Sequence, residues 1–197
     1  AYRDDLSFDA EFRVFEDLSK PDSDRYEFVY PTYNLSKTLE IDSGLDGIYS
    51  FASSGHIKNH DTNIFEKVLI NDLKFNSDAK FSEKGFKTNY NFLIKNVNTD
   101  SKNSKSYREK RDHKLASIFE FNSSYPLKKE LDNFKNILKP MMSLKLSPYN
   151  SRNMRDDSTK IDINNIFSIN RIGRNDAVEG GASLTYGAEF SKIDKFD

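Results

Sequence analysis

The sequence predicts an all-β fold of antiparallel up-and-down strands, on three observations. Apolar and polar residues alternate with a period of two in about eight stretches, as in a strand that turns successive side chains to opposite faces. Several stretches are longer than the five or six residues of an ordinary strand. No run of about 18 apolar residues is present, so none of the long elements is a helical membrane span.

The first stretch sets the pattern. Leu6, Phe8, Ala10, Phe12 and Val14 are apolar, and Ser7, Asp9, Glu11 and Arg13 between them are polar. A helix would scatter these residues around its circumference; a strand sorts them onto two faces. Tyr26, Phe28 and Tyr30 alternate up to Pro31, where the missing N–H marks a bulge, an edge or a strand end. Tyr33 and Leu35 resume in the other phase, as an inserted bulge residue would produce. Tyr49, Phe51 and Ile57 share a face of a Gly/Ser-rich strand. Leu69, Leu73, Phe75 and Ala79 mark the next strand, and Phe86, Tyr90, Phe92 and Ile94 the one after. Leu115, Phe119, Phe121 and Tyr125 follow, then Leu138, Met142, Leu144 and Leu146. The last stretch is Ala182, Leu184, Tyr186, Ala188 and Phe190, with Ser183, Thr185, Gly187 and Glu189 between.

The connections add a second pattern. Residues 17–24 form a Pro/Asp/Ser turn region, 98–113 a long polar loop, and 127–136 has room for a helical turn or two. Residues 149–177 make the longest loop. The two longest connections are the fifth and the seventh, so an up-and-down sheet places both on one rim. Outer-membrane barrels keep their long loops outside and short turns in the periplasm, and their tilted strands of about ten residues span the bilayer. Residues 37–46 and 127–136 are long for periplasmic turns. Alternation fits equally a soluble antiparallel protein with one buried face, and pattern alone leaves both open.

Composition narrows the chemistry. The 197 residues carry a net charge of −1, with 16 Phe, 10 Tyr and no Trp. Near-balanced charge gives no steering toward nucleic acid. No cysteine is present, which removes thiol catalysis, zinc–cysteine sites and disulfides from this stretch. The chain opens at Ala1, directly before a strand pattern, and is read as a slice of a longer protein.

Candidate constellations point away from catalysis. His56 and His60 have a helical metal-pair spacing, but on a strand four residues separate them by roughly 13 Å, too far for one ion. Asp156, Asp157 and Asp162 lack the spacing and glycine of a calcium loop. No nucleophile elbow, phosphate loop or dinucleotide fingerprint occurs, so neither an enzyme nor a cofactor is expected. Lys102, Lys105, Arg108, Lys110, Arg111 and Lys114 form a basic run around Tyr107. Its readings are a solvated hairpin loop, partly compensated by Glu109 and Asp112, or a contact for lipopolysaccharide phosphates.

Residues 167–190 are the most distinctive stretch. They contain Arg171, Gly173, Asp176 and Glu179, the pair Gly180 and Gly181, and then Tyr186 and Gly187. Arg171, Asp176 and Glu179 suggest a charge cluster in which one forked guanidinium holds two carboxylates and pins the loop to the sheet. The glycines suit a positive φ, a bulge or a close backbone approach. In wording and order this stretch resembles the signature of the LPS-assembly outer-membrane protein family (LptD, organic solvent tolerance protein). Residues 25–37, 63–97, 127 and 138–148 are similar to other passages of that family, in order. The family often has an aromatic or small polar residue near Ile172 and Gly173; here Arg174 follows Gly173 directly.

The resemblance implies a segment of a large outer-membrane β-barrel of a Gram-negative bacterium, with residues 1–197 part of one barrel domain. It implies assembly and transport of lipopolysaccharide into the outer leaflet. The implied partners are lipopolysaccharide, an LptE-like plug lipoprotein, periplasmic LPS-bridge proteins that meet an N-terminal domain, and outer-membrane lipids. A general porin or receptor barrel shares the architecture and is the alternative; a soluble β-rich surface module is a third reading. The barrel reading expects Leu6, Phe8, Phe12, Leu184, Tyr186 and Phe190 on the lipid-facing side. It expects Asp9, Glu11, Arg13 and Glu189 on the other.

Overall fold

The computed structural model describes residues 2–3, 5–148 and 160–194. Its strands form one antiparallel sheet. The long strands are β2 (Leu6–Glu16), β3 (Tyr26–Leu39), β4 (Gly47–His60), β5 (Ile64–Ser77), β7 (Lys87–Lys102), β8 (Asp112–Ser124), β10 (Phe134–Ser147) and β11 (Gly181–Asp194). Three short ones, β1 (Tyr2–Arg3), β6 (Lys80–Phe81) and β9 (Leu127–Glu130), extend the pairing locally. The order β1-β2-β3-β4-β5-β7-β8-β10-β11 follows the chain, and the two ends do not pair, so the sheet is open. The fold class is therefore all-β, antiparallel and up-and-down; each stretch of alternation forms the body of one long strand, with Ala79, Phe86 and Tyr125 falling just outside the strand ends.

The phase change at Pro31 is a bulge. β3 spends one residue more than β2 between the Glu11/Thr32 and Arg13/Val29 pairs, and one more than β4 between the Thr32/His56 and Val29/Lys58 pairs. The extra residue keeps the aromatic set on one face: Phe12 lies 6.5 Å from Tyr30, and Tyr30 lies 6.0 Å from Phe28 between ring centroids.

Two connections are shorter than the sequence suggests. The loop expected over 98–113 spans 103–111, because β7 runs on to Lys102 and β8 begins at Asp112. Asn96, Asn98 and Asp100 face one side there and Thr99 and Ser101 the other, so the ladder continues where the apolar signal has ended. The segment 127–136 is not helical. Pro126 interrupts the strand, and β9 resumes it against β10, leaving a turn of residues 131–133. The expected loop over 149–177 lies outside the described residues up to 159; the described part, 160–180, folds back over the sheet.

The two faces differ in kind. Strand registers place Leu6, Phe8, Phe12, Phe51, Leu73, Phe92, Phe119, Met142, Leu144, Leu184, Tyr186 and Phe190 on one face, here the bare face. No described segment covers it: Phe12 is 73%, Tyr186 84% and Phe190 63% exposed. Asp9, Glu11, Arg13 and Glu189 lie on the opposite face. That loop face also carries Asn34, Ser36, Ser54, Asp72, Lys95, Glu120, Ser143, Lys145 and Thr185. A small apolar core of Leu93, Ala116, Ile118 and Val178, flanked by Ile169, joins the loop face to the returning segment.

Aromatic contacts run across the bare face. Tyr49, Phe75, Tyr90 and Phe119 touch in series at centroid distances of 4.5, 5.7 and 6.4 Å. Polar groups that interrupt the band bond one another: Tyr33 Oη and Ser53 Oγ lie 3.1 Å apart, Ser53 donates to Asn71 at 2.8 Å, and Asn71 donates to Asn96 at 3.3 Å.

The apolar band crosses the strands obliquely. On β11 its middle is Tyr186, which aligns through Met142 and Ser123 with Thr88 of β7. On β2 its middle is Ala10, which aligns through Tyr33, Gly55 and Leu69 with Asn98 of β7. Thr88 and Asn98 are ten residues apart, roughly 33 Å of strand at about 3.3 Å each. The drift accumulates over seven strand spacings, roughly 34 Å at about 4.8 Å each. The band therefore runs at roughly 45° to the strands, close to the tilt of strands in membrane barrels.

Candidate functional site

The returning segment 160–180 is held on the loop face by contacts that begin in the strands. Lys95 on β7 is nearly buried, its side chain 5% exposed. Its Nζ donates to both oxygens of Asp72 on β5, at 2.6 and 2.8 Å. The same ammonium donates to the Asn175 carbonyl at 2.9 Å. A buried lysine needs both an opposite charge and its remaining hydrogen bonds satisfied, and the loop backbone completes that set.

Lys145 on β10 repeats the arrangement. It lies 3.6 Å from Glu120 on β8 and donates to the Ser168 carbonyl. The Glu120 carboxylate also accepts from Asn91 at 2.6 Å, Asn122 at 3.0 Å and Ser143 at 3.2 Å. Two lysines of the sheet thus grip two loop carbonyls. Sequence reasoning missed both, along with Asp72 and Glu120. A lysine in the polar phase of a strand looks the same whether it faces water or a folded-back loop.

The loop is also tied to itself. Arg171 donates from Nε to Glu179 Oε2 at 2.7 Å and from a second nitrogen to the other oxygen, and it reaches Thr185 Oγ1 on β11 at 3.4 Å. Asp176 is held by Arg174, in two bonds of 2.8 and 2.7 Å. One arginine bridging both acids was the expectation; two forked pairs stand in its place. Gly173 turns the chain between the two arginines at φ 72°. Asn170 staples the limbs, donating to the Ala177 carbonyl at 2.9 Å and accepting from the Glu179 N–H at 3.3 Å.

The glycines have separate tasks. Gly181 enters β11 at φ 90°, beside the half-buried Gly180. Gly187 lies under the Phe167 ring, where a Cβ would sit 3.3 Å from the nearest ring carbon. Tyr186 points the other way, onto the bare face. Replacing Gly187 by Val should lift Phe167 off the strand and cost about 1–3 kcal/mol. Urea unfolding checks this, with Ala188→Val on the bare face as the unaffected control.

Tyr107, in the 103–111 loop, reaches the same cluster and hydrogen-bonds Asp176. Burial, reinforced by the Asp176 and Glu66 charges, pushes its hydroxyl up to about 12. The raised value favours the neutral phenol in the folded state. Its stabilising contribution is therefore full below the ordinary value of 10.0 and is lost as pH climbs through about 12. A phenolate absorbance titration should show a late-ionising tyrosine that disappears in Tyr107→Phe.

Comparison with protein-family models and with curated proteins finds no match for this chain. The site's chemistry is therefore read from its own geometry.

That geometry is a clamp. Among the described residues no group of three or more His, Cys, Asp or Glu could hold a metal ion. Asp162 uses its carboxylate to accept the Asn164 N–H at 2.8 Å and the Asn165 N–H at 3.2 Å; Asp156 and Asp157 lie outside the described residues. The carboxylates at the clamp are engaged by lysine, arginine or amide donors. They hold a loop across one face of the sheet while leaving the other face bare.

Proposed function

We propose that this sheet is part of the wall of an outer-membrane β-barrel whose bare face meets lipid. The observation that carries this reading is the apolar band, roughly 45° oblique to eight long strands, with no described segment over it. A tilted strand that shows alternate side chains to hydrocarbon needs such a band, and a bilayer satisfies it without a second sheet. Both free edges of the sheet would then be continued by further strands of the same barrel. The connections that follow β7 and β10 leave from one rim, as surface loops do, while the turn 131–133 lies on the other.

We infer further that the parent barrel assembles lipopolysaccharide into the outer leaflet. The support is the resemblance of residues 167–190 to the LPS-assembly family, together with a use for its residues. Phe167, Asn170, Arg171, Gly173, Asp176, Glu179, Gly181 and Gly187 each help fold or seat the loop. An LptE-like plug would rest on the loop face of β2–β4. Small polar residues Ser7, Asn34, Ser36, Ser50 and Ser54 line that face, and the 160–180 loop comes to its margin at Asn175.

Two experiments test this. Alkaline carbonate extraction should leave the full-length parent in the outer-membrane pellet; recovery in the soluble periplasm would sink the barrel reading. Depletion of the parent should lower lipopolysaccharide at the cell surface. Unchanged surface lipopolysaccharide with altered uptake of small solutes would instead identify a porin.

A further inference from the structure

The β7–β8 hairpin stands well clear of the apolar band. On the bare face of β7 the last apolar residue is Ile94, and Asn96, Asn98, Asp100 and Lys102 follow. On β8, Leu115 is the corresponding last apolar residue and His113 lies beyond it. The eight residues from Ile94 to Lys102 cover roughly 26 Å of strand, which is roughly 18 Å of height at a tilt near 45°. The interfacial layer of a phospholipid leaflet is only about 5–8 Å deep. The hairpin tip therefore rises past the level of phospholipid phosphates.

That tip is built to display positive charge. Its neighbouring acids are engaged locally. Glu109 accepts the Asn103 N–H at 3.1 Å, Glu66 accepts from Ser104, Asp100 holds Arg111 at 3.2 Å, and Asp112 holds Lys114 at 3.3 Å. Ser104 caps the turn by accepting the Ser106 and Tyr107 N–H groups at 3.0 and 3.1 Å, and Asn103 donates to the Asn63 carbonyl at 3.0 Å. Lys102, Lys105, Arg108 and Lys110 remain exposed, with no ion pair among the described residues. An ordered loop that turns four cations outward against one exposed acid, Glu109, costs little further ordering on binding an anion.

We propose that this tip binds the phosphorylated saccharide headgroup of a surface glycolipid, at a height above the phospholipid phosphates. The inference rests on the membrane and lipopolysaccharide reading above and adds the residues and the ligand chemistry. Arg108 supplies forked donors and the three lysines mobile point charges, a combination suited to phosphate monoesters on a sugar frame.

The test uses the full-length parent in phosphatidylcholine nanodiscs. The probe is deacylated, water-soluble lipopolysaccharide that retains its phosphates, followed by calorimetry. The parent should bind it, and K102Q/K105Q/R108Q/K110Q should bind at least roughly tenfold more weakly, with the difference shrinking at high salt. The charge-preserving K102R/K105R/K110R, with Arg108 kept, should retain binding, and matched circular dichroism of the glutamine variant shows that its loss is not misfolding. Equal binding by parent and glutamine variant overturns the proposal. So does undiminished binding of the enzymatically dephosphorylated saccharide. Full competition by inorganic phosphate would make the tip a general anion site and overturn the assignment to a glycolipid. A parent that inserts and supports surface lipopolysaccharide, yet shows no charge-dependent binding, overturns this inference alone. A parent that fails to enter nanodiscs overturns the membrane reading beneath it.

Discussion

On the proposed lipid-facing reading, replacing Met142 by Arg in the full-length parent should cost about 2–4 kcal/mol and reduce its insertion into the outer membrane. Met142 lies in the middle of the outward set Leu138, Met142, Leu144 and Leu146 on β10, and it is 39% exposed. If the bare face meets water, an arginine at a partly exposed position is close to neutral, because surface substitutions usually stay within about 0.5 kcal/mol. If it meets hydrocarbon, the guanidinium must be carried into a medium that cannot hydrate it. Ser36→Arg is the matched control for these two readouts: Ser36 is exposed on the loop face, so its charge stays out of hydrocarbon in either case, and a defect in plug docking would be read separately by co-purification of the plug. Folded yield in purified outer membranes and the urea midpoint in detergent report the two variants. Equal behaviour of M142R and S36R would remove the lipid-facing assignment.

Removing Arg171 should release the 160–180 segment. The Arg171 side chain is 10% exposed and the Glu179 side chain 26%, so the pair is largely shielded from water. Arg171→Ala leaves Glu179 without its forked partner, and breaking a buried pair from one side costs about 3–5 kcal/mol. Exposure of Glu179 places the expectation near the lower end, about 3 kcal/mol. Much of that loss should fall on the loop, because the strand ladders do not pass through Arg171. Protease should then cut within 160–180 while the sheet stays resistant. Arg171→Lys should rescue only partly, since lysine keeps the charge without the fork. Cooperative loss of the whole sheet in R171A would show that the clamp supports the wall as well as the loop.

Much of the fold was legible because period-two alternation survives any tertiary arrangement. Leu6 through Val14 sort onto two faces before any partner is known, and the phase change at Pro31 announced the bulge. The strand ends beyond Ile94 were hidden for a related reason. Where both faces meet a polar environment, alternation carries no contrast, although the backbone ladder continues through Asn96 and Asn98 to Lys102. The turn after Leu127 was misread because Pro126 breaks the pattern at a point where pairing resumes one step later.

The clamp was only half visible. Arg171, Asp176 and Glu179 could be singled out as a cluster, but sequence spacing does not say which arginine takes which acid. The turn at Gly173 sets that by bringing Arg174 round to Asp176 and leaving Arg171 for Glu179. Lys95 and Lys145 left no local trace at all. Their acids, Asp72 and Glu120, are neighbours only through strand pairing, and their loop carbonyls, at Asn175 and Ser168, are neighbours only through the fold-back.

By itself, then, the sequence determined the strands, their two faces and the position of the bulge, since each follows from side-chain alternation along a single segment. Tertiary structure alone decided the oblique course of the apolar band, the height of the β7–β8 hairpin and the partners of the buried charges. Those depend on register between strands and on the path of a returning loop, which no one segment encodes.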